Sequence, residues 1–129
     1  MILLIDAGNT RIKWRVVAAC APLQARAEGA FAHDTLDALP NALADVRARH
    51  PGLQRAFGCN VAGATVAARI AEACAGLSLE WLTSTAACAG VRNLYENPSQ
   101  LGADRWAAAI GARALHPHAC VVAVTSSAA

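Results

Sequence analysis

The feature that most constrains the fold is the N-terminal stretch Met1–Trp14, which reads MILLIDAGNTRIKW. An apolar run ends at Asp6, a turn follows over residues 7–10, and a second strand-like run begins at Arg11. A buried strand with an acid at its tip, followed by a glycine-bearing turn with a hydroxyl and a lysine just beyond, can hold a metal-bound polyphosphate. The stretch therefore predicts two strands around a turn and a candidate phosphate site at that turn.

Asp6 and the residues of the turn have expected roles in phosphate binding. Asp6 can face Mg²⁺ directly or through water, and the backbone N–H groups at Gly8 and Asn9 can donate to phosphate oxygens. The Thr10 hydroxyl can donate as well, and Lys13, the only lysine of the chain, can neutralise charge. Gly8 permits either close backbone approach or a positive φ. The same residue types also suit an ordinary hairpin turn, so the turn by itself leaves both interpretations open.

The remaining chain predicts an α/β fold with a mixed sheet and flanking helices. Short connections between the first three strands make them antiparallel, and alternating helices and strands follow. Pro40 is expected near a first helical turn or at a break in its helix. Residues 83–101 are turn-rich. The predicted elements are strands at 1–6, 11–18 and 23–31, a helix through 36–46, a strand at 55–61, a helix at 65–75, a strand at 77–82, a helix at 103–115 and a strand at 119–124.

Composition narrows the class of protein further. At 129 residues and 56% hydrophobic content the chain should fold as one domain rather than stay disordered. No apolar run approaches the ~20 residues that cross a bilayer, and no basic segment precedes the first apolar run as a secretory signal requires. A net charge of +2 argues against a dedicated nucleic-acid surface. We therefore expect a cytoplasmic protein with no membrane or nucleic-acid partner.

The cysteines and histidines do not predict a metal site. The five cysteines are scattered without a C-x-x-C pair, which favours buried free thiols in a reducing compartment. His116-Pro117-His118 has no third ligand nearby, so an exposed connection is the preferred interpretation. The cysteines are Cys20, Cys59, Cys74, Cys88 and Cys120.

A second group of candidate residues lies in VRNLYENPSQLGADRW, residues 91–106. Asp104, near the start of a helix whose dipole favours an anion, can orient a substrate hydroxyl and accept its proton. Arg105 offers a forked donor for a carboxylate or phosphate, and Tyr95 can wall a small-molecule pocket. Taken singly, Asp104 is more often only a helix cap with Arg105 exposed, and an aromatic residue such as Tyr95 is more often core. Trp106 is assigned to the core, and Trp14 and Trp81 to packing.

Together the two motifs resemble a known enzyme family. The patterns D-x-G-N-T-x-x-K at Asp6–Lys13 and Y-x-x-P-x-x-L-G-x-D-R at Tyr95–Arg105 are similar to the N-terminal half of type III pantothenate kinases, which include the Bordetella-type accessory factor proteins. The resemblance runs from Met1 to about Val124. It implies an actin/sugar-kinase/Hsp70-like (ribonuclease H-like) lobe and ATP-dependent phosphorylation of pantothenate towards coenzyme A. It also implies Mg²⁺, a monovalent cation (K⁺ or NH₄⁺) and a homodimer with active sites near the subunit interface.

The resemblance assigns a role to each motif residue. Asp6 would organise the metal, with Gly8, Asn9, Thr10 and Lys13 at the ATP phosphates. Asp104 would be the base that takes the pantothenate hydroxyl proton. The residues lining the pantothenate site would be Tyr95, Gly102 and Arg105.

The chain departs from the family pattern near its C-terminus. The family has two lobes and about twice this length, so residues 1–118 match the first lobe and 119–129 the start of the second. After the strand expected at Cys120–Val124, residues 125–129 contain neither the acid nor the glycine of the family's second phosphate loop. We therefore expect weak ATP binding and little turnover from these 129 residues alone, because phosphoryl transfer needs charge stabilisation on both sides of the phosphate chain.

Two other interpretations remain. The chain can be a non-catalytic kinase-like module with an interaction or regulatory role. It can also be a lobe of a different sugar kinase or actin-like ATPase, although that leaves the Tyr95–Arg105 pattern unexplained.

Overall fold

Five strands pair into one mixed sheet in the computed structural model, which describes residues 1–124. The strands are β1 Ile2–Ala7, β2 Arg11–Ala18, β3 Ala21–Ala32, β4 Arg55–Asn60 and β5 Ser78–Trp81. Their order in the sheet is β3-β2-β1-β4-β5; β2 is antiparallel to both β1 and β3, whereas β4 is parallel to both β1 and β5. This confirms the predicted mixed sheet, with ends that shift by two residues or fewer from the expected ones.

Three α-helices accompany the strands, as predicted. They are α1 Leu39–Arg49, α2 Ala64–Ala73 and α3 Ala103–Leu115, and a 3-10 helix at His33–Ala38 leads into α1. Pro40 lies in the first turn of α1, where a missing backbone N–H costs no helical hydrogen bond. The position expected for Pro40 is therefore confirmed.

The hydrophobic core formed by the sheet, α1 and α2 lies on one face of the sheet. Alternate residues of β1, namely Leu3, Ile5 and Ala7, are buried against the apolar faces of α1 and α2. The helix faces follow the three- and four-residue spacing visible in the sequence. Their buried members are Leu39, Leu43 and Val46 on α1 and Val66 and Ile70 on α2.

Two glycines in the strands make room for two indole rings on this face. The sheet register places Trp14 beside Gly29 and Trp81 beside Gly58. A Cβ atom at Gly29 would lie 2.7 Å from the Trp14 ring, and one at Gly58 would lie 2.7 Å from the Trp81 ring. Both rings pack against the core, which confirms the assignment of these tryptophans to packing.

We expect Gly58→Val to destabilise the protein by about 1–3 kcal/mol, because overpacking a filled site forces side chains and backbone to shift. The new side chain would meet the Trp81 ring at 2.7 and 3.0 Å and the Ile5 Cβ at 3.4 Å. Thermal unfolding of the variant measures the loss. Gly52→Ala is the matched control, since a Cβ at Gly52 meets no atom within 4 Å. Equal melting temperatures for Gly58→Val and the wild type would contradict the packing described here.

The cysteines divide into exposed and buried residues. Cys20, Cys88 and Cys120 are exposed, so the expectation that the thiols are buried is wrong for these three. They lie in a turn, on a two-residue strand and beyond α3, where the described chain offers little to cover them. Cys74 is buried at the end of α2, and the pKa of its thiol is raised to about 11. Burial is the main cause, and the nearby Arg47 guanidinium partly opposes it.

Because the pKa of the Cys74 thiol is raised, we expect the protein to lose stability at alkaline pH. Between its ordinary pKa of 9.0 and the folded pKa of about 11, the unfolded thiol loses its proton while the folded one keeps it. The contribution of the Cys74 thiol to the free energy of unfolding is therefore fully present below pH 9. It falls as the pH rises towards 11, by at most ~1.4 kcal/mol per pH unit. Urea unfolding at pH 8.5 and 10.5 should show a smaller drop in Cys74→Ala than in the wild type. An equal drop in both proteins would refute the assignment.

The chain divides into two compact units, Met1–Trp81 and the part that begins at Leu82. The second unit holds α3, a 3-10 helix at Pro98–Gln100 and a hairpin of β6 Ala87–Cys88 and β7 Val91–Arg92. The hairpin was not predicted, because its strands have only two residues each. Ala89 and Gly90, its two turn residues, have φ values of 49° and 80°, which a tight two-residue hairpin turn requires.

The strand expected at residues 119–124 is absent from the described part of the chain. Residues 120–124 have no strand partner there, and Val122 and Val124 are 87% and 84% exposed. An apolar run forms a strand only beside another strand, so hydrophobicity alone misled the assignment. Residues 125–129, including the position expected for a second phosphate loop, lie outside the described residues. The proposed lobe boundary at 118/119 stays a prediction.

None of the helices within residues 1–124 is long and apolar enough to cross a membrane.

Candidate functional site

The first candidate group lies at the carboxyl end of β1. Asp6 is exposed on the sheet face opposite to Ile5 and Ala7, and the antiparallel register pairs it with Lys13 of β2. Directly opposed residues of an antiparallel pair lie side by side on one face, which brings a carboxylate and the only lysine together. No ion pair joins these two described side chains, and Lys13 is exposed. Both charges thus remain available to a ligand.

The turn after Asp6 is a hairpin turn whose tip carries the N–H groups of Asn9 and Thr10. The Gly8 N–H donates to the Arg11 carbonyl at 2.9 Å, so the expected role of the Gly8 N–H in phosphate binding competes with this bond. Among the described residues, the N–H groups of Asn9 and Thr10 have no hydrogen-bond partner. Both residues are exposed. The turn therefore fits both interpretations, since a hairpin connection also presents polar groups at its tip.

Gly8 allows its backbone to lie close to the Arg11 carbonyl and does not adopt a left-handed conformation. Its φ is not among the positive values, and a Cβ there would lie 3.3 Å from the Arg11 carbonyl oxygen. The tight contact follows from the narrow turn, because the Gly8–Arg11 hydrogen bond closes it. The positive φ that Gly8 permits is therefore not used, and the approach of its backbone to phosphate stays a prediction.

His33 supports the turn from the end of β3. Its Nε2–H donates to the Gly8 carbonyl at 2.8 Å, and the bond is partly buried. The last β2–β3 pair, Arg11 with Ala32, brings the next residue of the chain beside the turn. His33 was not predicted from the sequence, because it lies 25 residues from Gly8 along the chain and only the β2–β3 register brings it to the turn.

Cys59 lies next to Asp6 on the neighbouring parallel strand. The β1–β4 register pairs Asp6 with Cys59, and the Cys59 thiol donates to Asp6 Oδ1 at 3.4 Å. The carboxyl ends of β1 and β4 meet at one edge of the sheet, where open α/β sheets bind ligands. The Val61 N–H donates to the Ala7 carbonyl at 2.9 Å, which fastens the chain beyond β4 to that edge.

The residues at this edge fit a magnesium ion held together with a polyphosphate. Mg²⁺ in such sites is bound by one or two carboxylates, water and substrate phosphates rather than by an all-protein cage. Asp6 supplies one exposed carboxylate with at least one oxygen clear of protein donors. Among residues 1–124, no cluster of three or more His, Cys, Asp and Glu side chains could hold a metal without such a ligand.

The second candidate group lies at the start of α3. Gly102 precedes the helix as its N-cap, and no side chain caps the helix by a hydrogen bond. Asp104 is half-buried in the first turn, where its Oδ1 accepts the Arg105 N–H at 2.8 Å. The cap position therefore belongs to Gly102, while Asp104 lies in the first turn of the helix. Arg105 is exposed.

The aromatic residues of this group differ in their environment. Tyr95 is 49% exposed, so it is not a core residue and its ring is accessible to a ligand. Trp106 is 1% exposed, which confirms its assignment as a core residue. Its indole N–H has no hydrogen-bond partner among the described residues.

The structure thus assembles the predicted residues into two groups. Asp6, Gly8, Asn9, Thr10 and Lys13 lie within 8 residues of chain around the β1–β2 turn of the first unit. The second unit contains Tyr95, Gly102, Asp104 and Arg105.

Comparisons with known proteins identify the same family that the motifs indicate. The family model for type III pantothenate kinase matches residues 2–129. The chain is 56% identical over 124 residues to a type III pantothenate kinase of Aromatoleum aromaticum, covering 95% of this chain and 48% of that protein. It is 48% identical over 124 residues to one of Azoarcus sp., covering 95% and 45%, and 44% identical over 121 residues to one of Bordetella bronchiseptica, covering 91% and 44%.

The chain spans about half the length of the curated relatives it matches. Its mixed sheet and flanking helices agree with the actin-like fold implied by the motifs. Both motif segments, Asp6–Lys13 and Tyr95–Arg105, lie inside the matched region. The chain belongs to the type III pantothenate kinase family.

Proposed function

We propose that this chain forms the half of an ATP-dependent pantothenate kinase that carries the first phosphate turn and the acceptor site, in the pathway to coenzyme A. The observation that carries the proposal is the first turn of α3, where a half-buried Asp104 lies beside an exposed Arg105 in a chain of this family. A carboxylate near a helix start, with a forked cation next to it, suits an acceptor that has both a hydroxyl and a carboxylate. Pantothenate has both groups.

In this proposal Asp104 is the catalytic base. Its carboxylate accepts the proton of the pantothenate hydroxyl as the hydroxyl oxygen bonds to the γ-phosphorus, and the bond from that phosphorus to the bridging oxygen of ADP breaks. The hydrogen bond from the Arg105 N–H holds one carboxylate oxygen, which leaves the other to receive the proton. Arg105, Tyr95 and Gly102 line the pantothenate site, with the Arg105 guanidinium facing the pantothenate carboxylate.

The turn at the end of β1 is the proposed phosphate site. The N–H groups of Asn9 and Thr10 and the Thr10 hydroxyl donate to phosphate oxygens, and Lys13 offsets their charge. Gly8 lets the backbone come close, and His33 holds the turn through the Gly8 carbonyl. Asp6 would hold Mg²⁺, which when bound neutralises charge on the phosphates. We assign no residue among 1–124 to the proposed monovalent cation, K⁺ or NH₄⁺.

The 129-residue chain by itself is proposed to be impaired. Charge on the transferred phosphoryl group must be stabilised from both sides, and this chain spans about half of its relatives' length. Weak ATP binding and little turnover follow for the isolated chain. The complete enzyme is proposed to be a cytoplasmic homodimer. A non-catalytic kinase-like module is the alternative, and it requires that no acceptor be phosphorylated even after the rest of the enzyme is supplied.

An acceptor panel tests the proposal in a joined protein, defined as residues 1–124 fused to the C-terminal half of the Aromatoleum aromaticum relative. ADP release is measured with ATP, Mg²⁺ and K⁺ and with pantothenate, glucose or glycerol as acceptor. We expect ADP release only when pantothenate is the acceptor. Release with a sugar but not with pantothenate would favour a different sugar kinase, and no release with any acceptor would favour the non-catalytic module.

A further inference from the structure

Residues 84–101 are fastened by side chains rather than by an apolar core. The Ser84 hydroxyl donates to the Leu101 carbonyl at 2.6 Å and so closes the two ends of the segment. Inside this closure, the Asn93 N–H donates to the Ala86 carbonyl at 2.8 Å and completes the stem of the β6–β7 hairpin. The segment leads directly into Gly102 and the first turn of α3. Its internal bonds therefore set where Tyr95 lies relative to the start of that helix.

The Asn93 carboxamide connects both sides of the loop that carries Tyr95. Its Oδ1 accepts the Tyr95 N–H at 3.1 Å, and its Nδ2 donates to the Pro98 carbonyl at 3.1 Å. The second bond is partly buried, whereas Leu94 and Tyr95 are 89% and 49% exposed. Exposed side chains offer this loop little apolar packing. The loop therefore depends on Asn93 for its conformation.

Asn97, the second asparagine of the loop, has a separate role. Its Oδ1 accepts the Ser99 N–H at 3.2 Å and the Ser99 hydroxyl at 2.7 Å, and so caps the 3-10 helix at Pro98–Gln100. Neither bond reaches Tyr95. Asn97 is thus a matched control for the loss of an asparagine side chain in the same loop.

We propose that Asn93 is a positioning residue that holds Tyr95 in its place at the pantothenate site. This inference rests on the function proposed above, in which Tyr95 lines that site. A binding residue that is ordered before the ligand arrives does not lose conformational freedom on binding, so its preorganisation contributes to affinity. Asn93 provides this order by bonding both to the Tyr95 backbone and to Pro98.

The single tyrosine of the chain makes the test direct. The 129-residue chain labelled with 3-fluorotyrosine carries one ¹⁹F probe, at Tyr95, which can be followed with and without pantothenate. In Asn93→Ala we expect the ligand-free resonance to move towards its position in urea-unfolded chain, and pantothenate to bind about tenfold more weakly because two hydrogen bonds are lost. Asn93→Asp keeps an acceptor for the Tyr95 N–H and should lie between wild type and Asn93→Ala. Asn97→Ala should keep the wild-type resonance and affinity.

The outcomes separate the inference from the proposed function. An unchanged ligand-free resonance in Asn93→Ala would overturn the positioning role, and Asn93→Asp decides the question if the alanine variant does not fold by circular dichroism. Equal resonance changes in the Asn93 and Asn97 variants would also overturn the role, because they would indicate general loosening of the loop. The ¹⁹F resonance could also shift in Asn93→Ala while the wild-type resonance does not respond to pantothenate. That result would support the positioning role and contradict the pantothenate site.

Discussion

Replacing Asp104 by asparagine is expected to lower pantothenate-dependent turnover of the joined protein by about 10²–10⁴-fold, the range supplied by a positioned general base. Asparagine matches the shape of aspartate but cannot accept the hydroxyl proton as a carboxylate does. Its Oδ1 can still accept the Arg105 N–H, so the start of α3 should stay intact. The loss should therefore fall on kcat, with a smaller change in the KM for pantothenate.

Asp45→Asn is the control for this substitution, because it makes the same chemical change on α1, where Asp45 pairs with Arg49. We expect its turnover to equal that of the unmutated joined protein, because an exposed pair of this kind contributes little. Turnover of Asp104→Asn within a few-fold of the unmutated protein would contradict the role assigned to Asp104.

Leu43→Ala is expected to destabilise the protein by about 2–5 kcal/mol, as truncation of a buried leucine generally does. Leu43 is 1% exposed on α1 and belongs to the cluster that packs the helices against the sheet. The substitution removes apolar contacts and leaves a cavity between α1 and the strands. Urea unfolding followed by tryptophan fluorescence measures the change, since Trp14 and Trp81 pack against the same core.

Leu23→Ala serves as the comparison, because Leu23 lies on β3 and is 71% exposed. Its effect should stay within about 0.5 kcal/mol, as for most surface substitutions. Similar losses from the two leucine substitutions would show that α1 does not pack on the sheet as described.

The succession of the five sheet strands and three helices along the chain was predictable because local patterns determine it. The apolar run of β1, the strand-like run of β2 and the three- and four-residue spacing in α1 and α2 are read directly from neighbouring residues. Pro40 marks the first turn of α1 for a local reason as well. The apolar run at 120–124 shows the limit of this approach, since a strand also needs a neighbour that local sequence does not reveal.

The candidate site was predictable as two motifs but not as a set of contacts. Asp6 and Lys13 were found because they flank one turn, and Asp104 because it begins a helix. His33 and Cys59 were not found, because register alone brings them to Gly8 and Asp6 from distant strands. The two hydrogen bonds of the Asn93 side chain depend on a loop conformation that composition does not specify.

Phosphoryl transfer by this family member is proposed to need more than the residues described here. In the proposed function, Asp6, Lys13 and the turn N–H groups bind the phosphates and Asp104 receives the proton of the acceptor hydroxyl. Removing stabilisation from the other side raises the barrier, at about 1.4 kcal/mol for each tenfold of rate. The chain alone should therefore bind ATP weakly even though its own groups are intact.

The most direct test is a kinase assay that compares the 129-residue chain with the joined protein, using pantothenate, ATP, Mg²⁺ and K⁺ at the same concentrations. Our account predicts phosphorylated pantothenate from the joined protein, its loss in Asp104→Asn, and little or none from the chain alone. Equal turnover by the chain alone, abolished by Asp104→Asn, would contradict the need for the second half. A folded joined protein that phosphorylates no pantothenate would contradict the proposed function itself.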